Sequence, residues 1–117
     1  MSRVTLVDIE IEHARVRKSY LENITEYLRK IKDVCRAFDP KCRLIVFGSY
    51  VRGDMKPDSD IDVLLITDQA PDAPYRGRLR AAIARNIGLV TPFEIHIVSS
   101  EEYERWYRKF IDAQQEI

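Results

Sequence analysis

The chain contains 117 residues, of which 45% are hydrophobic and 32% are charged. This length predicts one domain over residues 1–117, large enough for a hydrophobic core but too small for a catalytic domain plus a separate substrate-recognition domain. Lysine plus arginine and aspartate plus glutamate both total 19, so the net charge lacks the basic excess typical of a nucleic-acid-binding protein.

The sequence predicts a cytoplasmic protein that does not enter a membrane. No stretch approaches 18 consecutive apolar residues, and the N-terminal residues lack the apolar core of a signal peptide. Cys35 and Cys42 are not spaced as a Cys-x-x-Cys pair, and no histidine cluster lies near them. We therefore expect two reduced thiols, rather than a disulfide or a zinc site.

The first predicted element is an amphipathic helix of unusual length, from about Ile9 to Phe38. Apolar residues recur there at three- and four-residue steps, with charged residues between them. These apolar positions are Tyr20, Leu21, Ile24, Tyr27, Leu28, Ile31, Cys35 and Phe38. Proline follows at Asp39-Pro40, which predicts the end of the helix.

Two short apolar runs come next, at 44–47 and 61–66, and both are typical of buried strands. The turn at Gly48 and one or two helical turns fill the space between them. A second helix is predicted over 75–87, because Leu79, Ile83 and Ile87 recur at four-residue steps before Gly88.

A third strand is predicted over 93–98, and a last helix from Glu101 to about Gln115. Ser99 and Glu102 form the capping box that starts this helix. Its aromatic side chains are interpreted as core packing, with base stacking or partner binding as the alternative. These residues are Tyr103, Trp106, Tyr107 and Phe110.

The order of elements predicts a mixed α/β (α+β) domain with a small three- to four-stranded mixed sheet flanked by helices. Alternation in the third strand places Glu94 and His96 on one sheet face. A lone carboxylate on a sheet face requires a partner. For His96, an ordinary sheet-face histidine is the preferred interpretation and a role in the chemistry is the alternative.

Asp60 and Asp62 are the strongest candidates for a functional site. Residues two apart on a strand point to the same face, about 6.6 Å apart, where two charges repel by about 2.5 kcal/mol at an effective dielectric near 20. Divalent cations between the carboxylates would reverse this cost, and such hard oxygen ligands suit Mg²⁺. Gly48-Ser49, ten residues upstream, offers backbone N–H groups and a hydroxyl to a phosphate.

Other interpretations of this segment fit less well. A Walker A loop would require Lys-Ser/Thr where Asp54-Met55 stands, and an EF-hand loop would require glycine in place of Val63 and glutamate in place of Gln69. A merely solvated turn is also disfavoured, since Asp62 lies within an apolar run where an unpaired carboxylate is expensive.

The segment from Leu44 to Ile66 resembles the nucleotidyltransferase superfamily of DNA polymerase beta, whose signature is Gly-Ser followed ten residues later by Asp-x-Asp. More closely, it resembles the minimal nucleotidyltransferases, often the antitoxin partners of HEPN-domain ribonucleases. The resemblance implies the nucleotidyltransferase fold over the whole of residues 1–117.

The resemblance also implies the roles of individual residues. Gly48 and Ser49 would bind the triphosphate, and Asp60 and Asp62 would hold two Mg²⁺ ions, for which Mn²⁺ could substitute. Glu94 matches the third carboxylate by position, as a metal ligand or general base. Ser59 and Arg52 fit common residues of the motif and could touch phosphate oxygens, although a surface ion pair is an equal alternative for Arg52.

The function implied by this resemblance is metal-dependent transfer of AMP from ATP to a hydroxyl. Because the chain is short, we expect its acceptor surface to come from a protein partner, and the favoured partner is a HEPN toxin. Neutralisation of that toxin by binding alone is the second hypothesis, and a small-molecule nucleotidyltransferase is the third. We also expect a homodimer in isolation and a hetero-oligomer with the partner.

Overall fold

The computed structural model describes residues 3–117, apart from the side chain of Phe110. Its strands are β1 (Arg43–Phe47), β2 (Ile61–Ile66), β3 (Phe93–Val98) and β4 (Gln114–Glu116). Its helices are α1 (Leu6–Glu22), α2 (Ile24–Phe38), α3 (Ser49–Arg52), α4 (Ala73–Ile87), α5 (Ser100–Glu102) and α6 (Arg108–Phe110), with a π-helical segment (Tyr103–Tyr107) between α5 and α6.

The four strands form one mixed sheet in the order β3-β2-β1-β4. Strand β1 is antiparallel to β2 and to β4, whereas β2 and β3 are parallel. Helix α4 provides the crossover that two parallel strands require. The prediction of a small mixed sheet flanked by helices is therefore confirmed.

The main core lies between one face of the sheet and helices α2 and α4. Their apolar residues recur at helical spacing and meet the inward side chains of all three long strands. The fully or nearly fully buried members are Leu28, Ile31, Leu44, Val46, Ile61, Val63, Leu65, Leu79 and Ile83. This core accounts for the apolar residues on one face of β2, and a second cluster covers Leu64 and Ile66 on the other face.

A smaller cluster covers part of the opposite face of the sheet. Tyr103 of the π-helical segment packs there on Ile45, Leu64, Ile66 and Val98. The second residue of β2 and the second and fourth residues of β3 carry polar side chains on this same face; these residues, Asp62, Glu94 and His96, are half-buried or exposed. Incomplete covering of this face therefore leaves room for a polar site.

The predicted single long helix is wrong, because the chain divides at Asn23 into α1 and α2. Asn23 has φ −127° and ψ 32°, and its side-chain amide donates to the Ser19 carbonyl oxygen at 3.0 Å. Asparagine competes in this way with the helical hydrogen bonds. Helix α1 begins earlier than predicted, after a capping box between Thr5 and Asp8, and contains no buried residue.

No helix within residues 3–117 is both long and apolar enough to cross a membrane.

The last helical segment begins where the sequence predicts, but it ends earlier than the predicted end at about Gln115. The capping box of Ser99 and Glu102 is present. The helical segment ends at Phe110, and residues 114–116 form β4 on the open edge of β1. Arg43 on β1 fixes this pairing by a bidentate contact with Glu116, at 3.1 and 2.7 Å. Hydrogen bonding to the free edge of β1 therefore outweighs the helix propensity of residues 114–116.

The prediction of two reduced thiols is also wrong, since Cys35 and Cys42 form a disulfide. The turn at Asp39-Pro40 reverses the chain after α2 and returns Cys42 to within 6.0 Å of Cys35, measured between Cα atoms. Both residues are fully buried. The cysteines therefore no longer support a cytoplasmic location, and the bridge ties the end of α2 to the start of β1.

We expect reduction of this disulfide to destabilise the fold. Releasing a loop of this length should cost about 2.5 kcal/mol through the entropy of the unfolded chain. This cost should lower the Tm by on the order of 10 °C. Thermal unfolding with and without a reductant measures the effect.

The double variant Cys35→Ala, Cys42→Ala is the matched control, because added reductant should not change its Tm. Two titratable thiols in the purified wild-type protein would contradict the disulfide.

Candidate active site

Asp62 and Glu94 lie side by side because β2 and β3 are parallel and in register. Asp62 pairs with Glu94 along the ladder, and both side chains point away from the main core. The neighbouring positions of both strands are apolar; Ile61, Val63 and Phe93 are buried and Ile95 is partly buried. The two carboxylates are therefore presented on the face that the helices α2 and α4 leave uncovered.

The turn at Gly48 closes one side of this carboxylate pair. Gly48 has φ 83°, a backbone conformation that favours glycine. A Cβ atom at this position would lie 2.5 Å from Asp62 Oδ2, which is closer than side chains tolerate. Glycine is therefore required both by the backbone angle and by the approach of the Asp62 carboxylate.

His96 completes a group of three potential ligands with Asp62 and Glu94. Its Nε2 atom lies 3.7 Å from Glu94 Oε1. One ligand atom from each of the three residues falls within 4.8 Å of the others. The aromatic rings of Phe47 and Tyr107 flank the imidazole, with centroid distances of 5.9 and 6.4 Å.

The electrostatics of this group favour a cation. Burial raises the pKa of Asp62, and the neighbouring charge of Glu94 raises it further. Within residues 3–117 neither carboxylate forms an ion pair with a lysine or an arginine. Two carboxylates and an imidazole form a donor set that suits a divalent metal, so these residues fit the metal ions that the sequence analysis expects.

Asp60 is placed differently from the sequence expectation. It precedes β2, its side chain is 56% exposed, and its carboxylate lies 3.6 Å from the guanidinium of Arg17 on α1. It is not a member of the three-residue group. Its charge still contributes to the raised pKa of Asp62. Its role as a metal ligand stays a prediction.

Gly48 and Ser49 lie at the start of α3, as the sequence analysis expects of a phosphate-binding turn. The first N–H groups of a helix have no intrahelical acceptor and can meet a phosphate. The N–H of Gly48 donates instead to the carbonyl oxygen of Ala113, at 3.3 Å. The phosphate contacts expected here therefore fall to the N–H groups that follow Gly48 and to the hydroxyl of Ser49.

Ser59 and Arg52 both have partners within the protein. The hydroxyl of Ser59 accepts a hydrogen bond from the Lys56 N–H at 3.1 Å, which closes the loop before β2. Arg52 forms ion pairs with Asp54 and Asp112, at 3.2 and 3.3 Å. Nucleotide binding by Ser59 stays a prediction, and Arg52 adopts the surface ion pair that was its alternative.

Arg17 of α1 contacts the candidate site, although no sequence pattern predicts this contact. Its Nε atom donates to the carbonyl oxygen of Pro57 at 2.8 Å, and its NH2 group donates to the carbonyl oxygen of Ser59. No local pattern could reveal this contact, because about 40 residues separate the partners. Arg17 therefore links α1 to the loop that presents Asp60.

The aromatic residues of the last helical segment divide between two environments. Tyr103 is buried and donates its hydroxyl to Gln114 Oε1 at 2.8 Å, which confirms core packing for this residue. Trp106 is 57% exposed. Tyr107 lies against His96. The side chain of Phe110 lies outside the described residues.

Comparison with protein families gives one match that covers most of the chain. The family model for the nucleotidyltransferase domain matches residues 28–115. This range contains the Gly48 turn, both aspartates and Glu94. Helix α1 lies before it.

Curated relatives match over shorter stretches. "Putative protein adenylyltransferase MJ0141" of Methanocaldococcus jannaschii is 39% identical over 51 residues, which are 44% of this chain and 50% of that protein. "Putative protein adenylyltransferase MJ1215" of the same organism is 38% identical over 58 residues, or 50% of this chain and 67% of that protein. A bifunctional uridylyltransferase/uridylyl-removing enzyme of Ralstonia nicotianae is 43% identical over 42 residues, which are 36% of this chain and only 5% of that enzyme.

Solved structures agree with the fold. The crystal structure of a "putative nucleotidyltransferase" superposes with a TM-score of 0.65 and 26% identity, covering 76% of this chain and 95% of the other. A second such structure, from Sulfolobus solfataricus, has a TM-score of 0.51 and 19% identity over 84% of this chain and 85% of the other, and it supports the fold alone.

We expect Asp62→Asn to stabilise the metal-free protein at neutral pH. The raised pKa means that the native state binds the proton of Asp62 more tightly than the unfolded chain does. The stabilisation that comes from this bound proton is fully present below pH 3.8, the ordinary aspartate pKa. It is lost as the pH rises through the higher pKa of Asp62 in the native state. Asparagine does not ionise, so at pH values above 3.8 the variant should retain stability that the wild type loses.

Thermal unfolding in the presence of a chelator measures this effect, and the variant should melt a few degrees higher at neutral pH. Asp58→Asn, in the exposed loop before β2, is the matched control and should leave the Tm unchanged. A lower Tm for Asp62→Asn at every pH would show that the carboxylate is structural.

Proposed function

The chain belongs to the nucleotidyltransferase domain family, and on this premise we propose that it transfers AMP from ATP to a hydroxyl group of a protein. The observation that carries the proposal is the pairing of Asp62 with Glu94 against the Gly48 turn. A carboxylate pair on a sheet face is costly unless a cation occupies it. A glycine turn beside the pair supplies N–H groups for a phosphate.

Each residue of the site has a chemical part in this proposal. Asp62 and Glu94 bind divalent metal, joined by Asp60 when its carboxylate leaves Arg17. Metal ions held there neutralise charge on the attacking and leaving oxygens of a phosphoryl transfer. The Ser49 hydroxyl and the first N–H groups of α3 orient the β- and γ-phosphates.

The reaction exchanges one phosphorus–oxygen bond for another and transfers one proton. The acceptor oxygen bonds to the α-phosphorus of ATP, and the bond from that phosphorus to the pyrophosphate oxygen breaks. The hydroxyl proton passes to a base, for which Glu94 is the candidate when it does not serve as a ligand. Pyrophosphate is the leaving group and carries away the electron pair of the broken bond.

A protein acceptor is supported by two observations. Two relatives carry the name protein adenylyltransferase, although the match to the first spans half of its length. Helix α1 also exposes large apolar side chains, as protein-binding surfaces do. These are Leu6, Val7, Ile9, Ile11 and Val16, and Val4 just before the helix is exposed as well. We take the acceptor to be a HEPN-domain protein, which would make this chain the antitoxin of a toxin–antitoxin pair.

Neutralisation of the partner by binding alone is the second candidate function. It is favoured by the same apolar surface, since α1 contains no buried residue and lies outside the range matched by the nucleotidyltransferase family. A surface of this kind provides affinity without any chemistry.

The first test of the proposal concerns nucleotide binding. We expect ATP to bind only with Mg²⁺ or Mn²⁺, because the paired carboxylates would otherwise repel the triphosphate. Asp60→Asn and Asp62→Asn should each reduce the gain in ATP affinity that metal provides by at least tenfold, or about 1.4 kcal/mol. Isothermal titration calorimetry with metal and with chelator measures it.

The variant Asp58→Asn serves again as the matched control and should bind like the wild type. Equal ATP affinity with metal and with chelator would refute a metal-dependent site.

The second test separates transfer from neutralisation by binding. Incubation of a HEPN partner with the wild-type protein, ATP and Mg²⁺ should add one or more AMP groups to that partner, detected by intact mass spectrometry. The double variant Asp60→Asn, Asp62→Asn should add none but should still bind, since the metal site provides chemistry and the apolar surface provides affinity.

An unmodified partner, together with full neutralisation by the double variant, would leave binding alone as the function.

A further inference from the structure

His96 lies beside the two carboxylates, with its Nε2 atom near Glu94 and the three potential ligand atoms within 4.8 Å of one another. It is on the same face of β3 as Glu94, two residues further along the strand. The distance of 3.7 Å between its Nε2 atom and Glu94 Oε1 is too long for a hydrogen bond. The imidazole nitrogen therefore faces the carboxylates without bonding to them directly.

The rings on either side hold His96 in this orientation. Phe47 at the end of β1 and Tyr107 in the π-helical segment lie within ring-packing distance of the imidazole. The side chain is 33% exposed, so about two thirds of its surface is covered by neighbouring residues. A ligand held by packing in this way loses little entropy when a metal binds.

The spacing of the three ligand atoms is compatible with one ion. Neighbouring ligands on an octahedral ion with bonds of about 2.1 Å lie about 3.0 Å apart. The three atoms already lie within 4.8 Å of one another. Small rotations of the carboxylates would close the remaining gap.

We propose that His96 binds metal through Nε2 together with Asp62 and Glu94, and that this nitrogen makes the site select a first-row transition-metal ion such as Mn²⁺ over Mg²⁺. Mg²⁺ prefers oxygen ligands alone, whereas an imidazole nitrogen strengthens the binding of transition metals. The inference rests on the proposed function, because it assigns the same carboxylates to metal, and it specifies which ion they hold.

The test uses Mn²⁺ as the probe and nitrogen coupling in its electron spin resonance signal as the readout. Pulsed spectra of the wild-type protein with Mn²⁺ should show modulation from a directly bound ¹⁴N nucleus. Labelling with [¹⁵N]histidine should convert that modulation to the ¹⁵N pattern without any substitution. The chain has only two histidines, and His13 is exposed on α1.

Two variants identify the histidine and quantify its effect. His96→Gln should abolish the nitrogen modulation and weaken Mn²⁺ binding at least tenfold. Removing a residue that only hydrogen-bonds to a metal ligand already costs about tenfold or more, so loss of a direct ligand should cost no less. Its affinity for Mg²⁺ should change less than threefold. His13→Gln is the matched control and should keep the modulation and both affinities.

The outcomes distinguish this inference from the proposed function. Metal-dependent ATP binding with no nitrogen modulation in the wild type, or with equal Mn²⁺ and Mg²⁺ affinities, would overturn the role of His96 and leave the nucleotidyltransferase proposal intact. If neither Mn²⁺ nor Mg²⁺ binds and neither promotes ATP binding, both the role of His96 and the nucleotidyltransferase proposal would be overturned.

Discussion

Two carboxylates side by side on a hydrophobic sheet are the constraint on which the rest of the site depends. The parallel register of β2 and β3 fixes Asp62 beside Glu94, and the buried residues on either side of Asp62 lower the dielectric around its half-buried carboxylate. Their mutual repulsion is stronger there than in water. Within residues 3–117 no lysine or arginine forms an ion pair with either carboxylate, which makes the pair a candidate cation site.

The Gly48 turn is held in place from two directions. Asp62 Oδ2 occupies the space that a side chain at this position would need, and the carbonyl oxygen of Ala113 accepts the Gly48 N–H. The segment that contains Ala113 also provides Asp112, which pairs with Arg52 at the end of α3. The C-terminal segment therefore positions the proposed phosphate-binding turn, and β4 anchors that segment to the sheet edge.

Helix α1 adds a second connection to the site. It precedes the range matched by the nucleotidyltransferase family, yet Arg17 reaches the loop before β2 and the carboxylate of Asp60. Tyr20 near its end donates its hydroxyl to the carbonyl oxygen of Ile87 at the end of α4. A molecule that binds the exposed apolar side chains of α1 would therefore act on the same helix that contacts Asp60.

The sequence by itself determined the elements whose information is local. The apolar runs predicted β1 and β2, the Ser99 capping box predicted the start of the last helical segment, and the alternation of β3 placed Glu94 and His96 on one face. The spacing from Gly48-Ser49 to Asp60 and Asp62 predicted the family, which most of the chain matches. These features depend on backbone periodicity and on short-range spacing, and both are visible in a single sequence.

Only the tertiary structure decided which distant groups meet. The Cys35–Cys42 bridge required the turn after α2, and β4 required the open edge of β1, against the helix propensity of its own residues. The Asp60 carboxylate faces Arg17, whereas His96 joins Asp62 and Glu94. These contacts join residues from separate elements. Their distances are set by sheet register and chain packing, and no periodicity along the sequence encodes them.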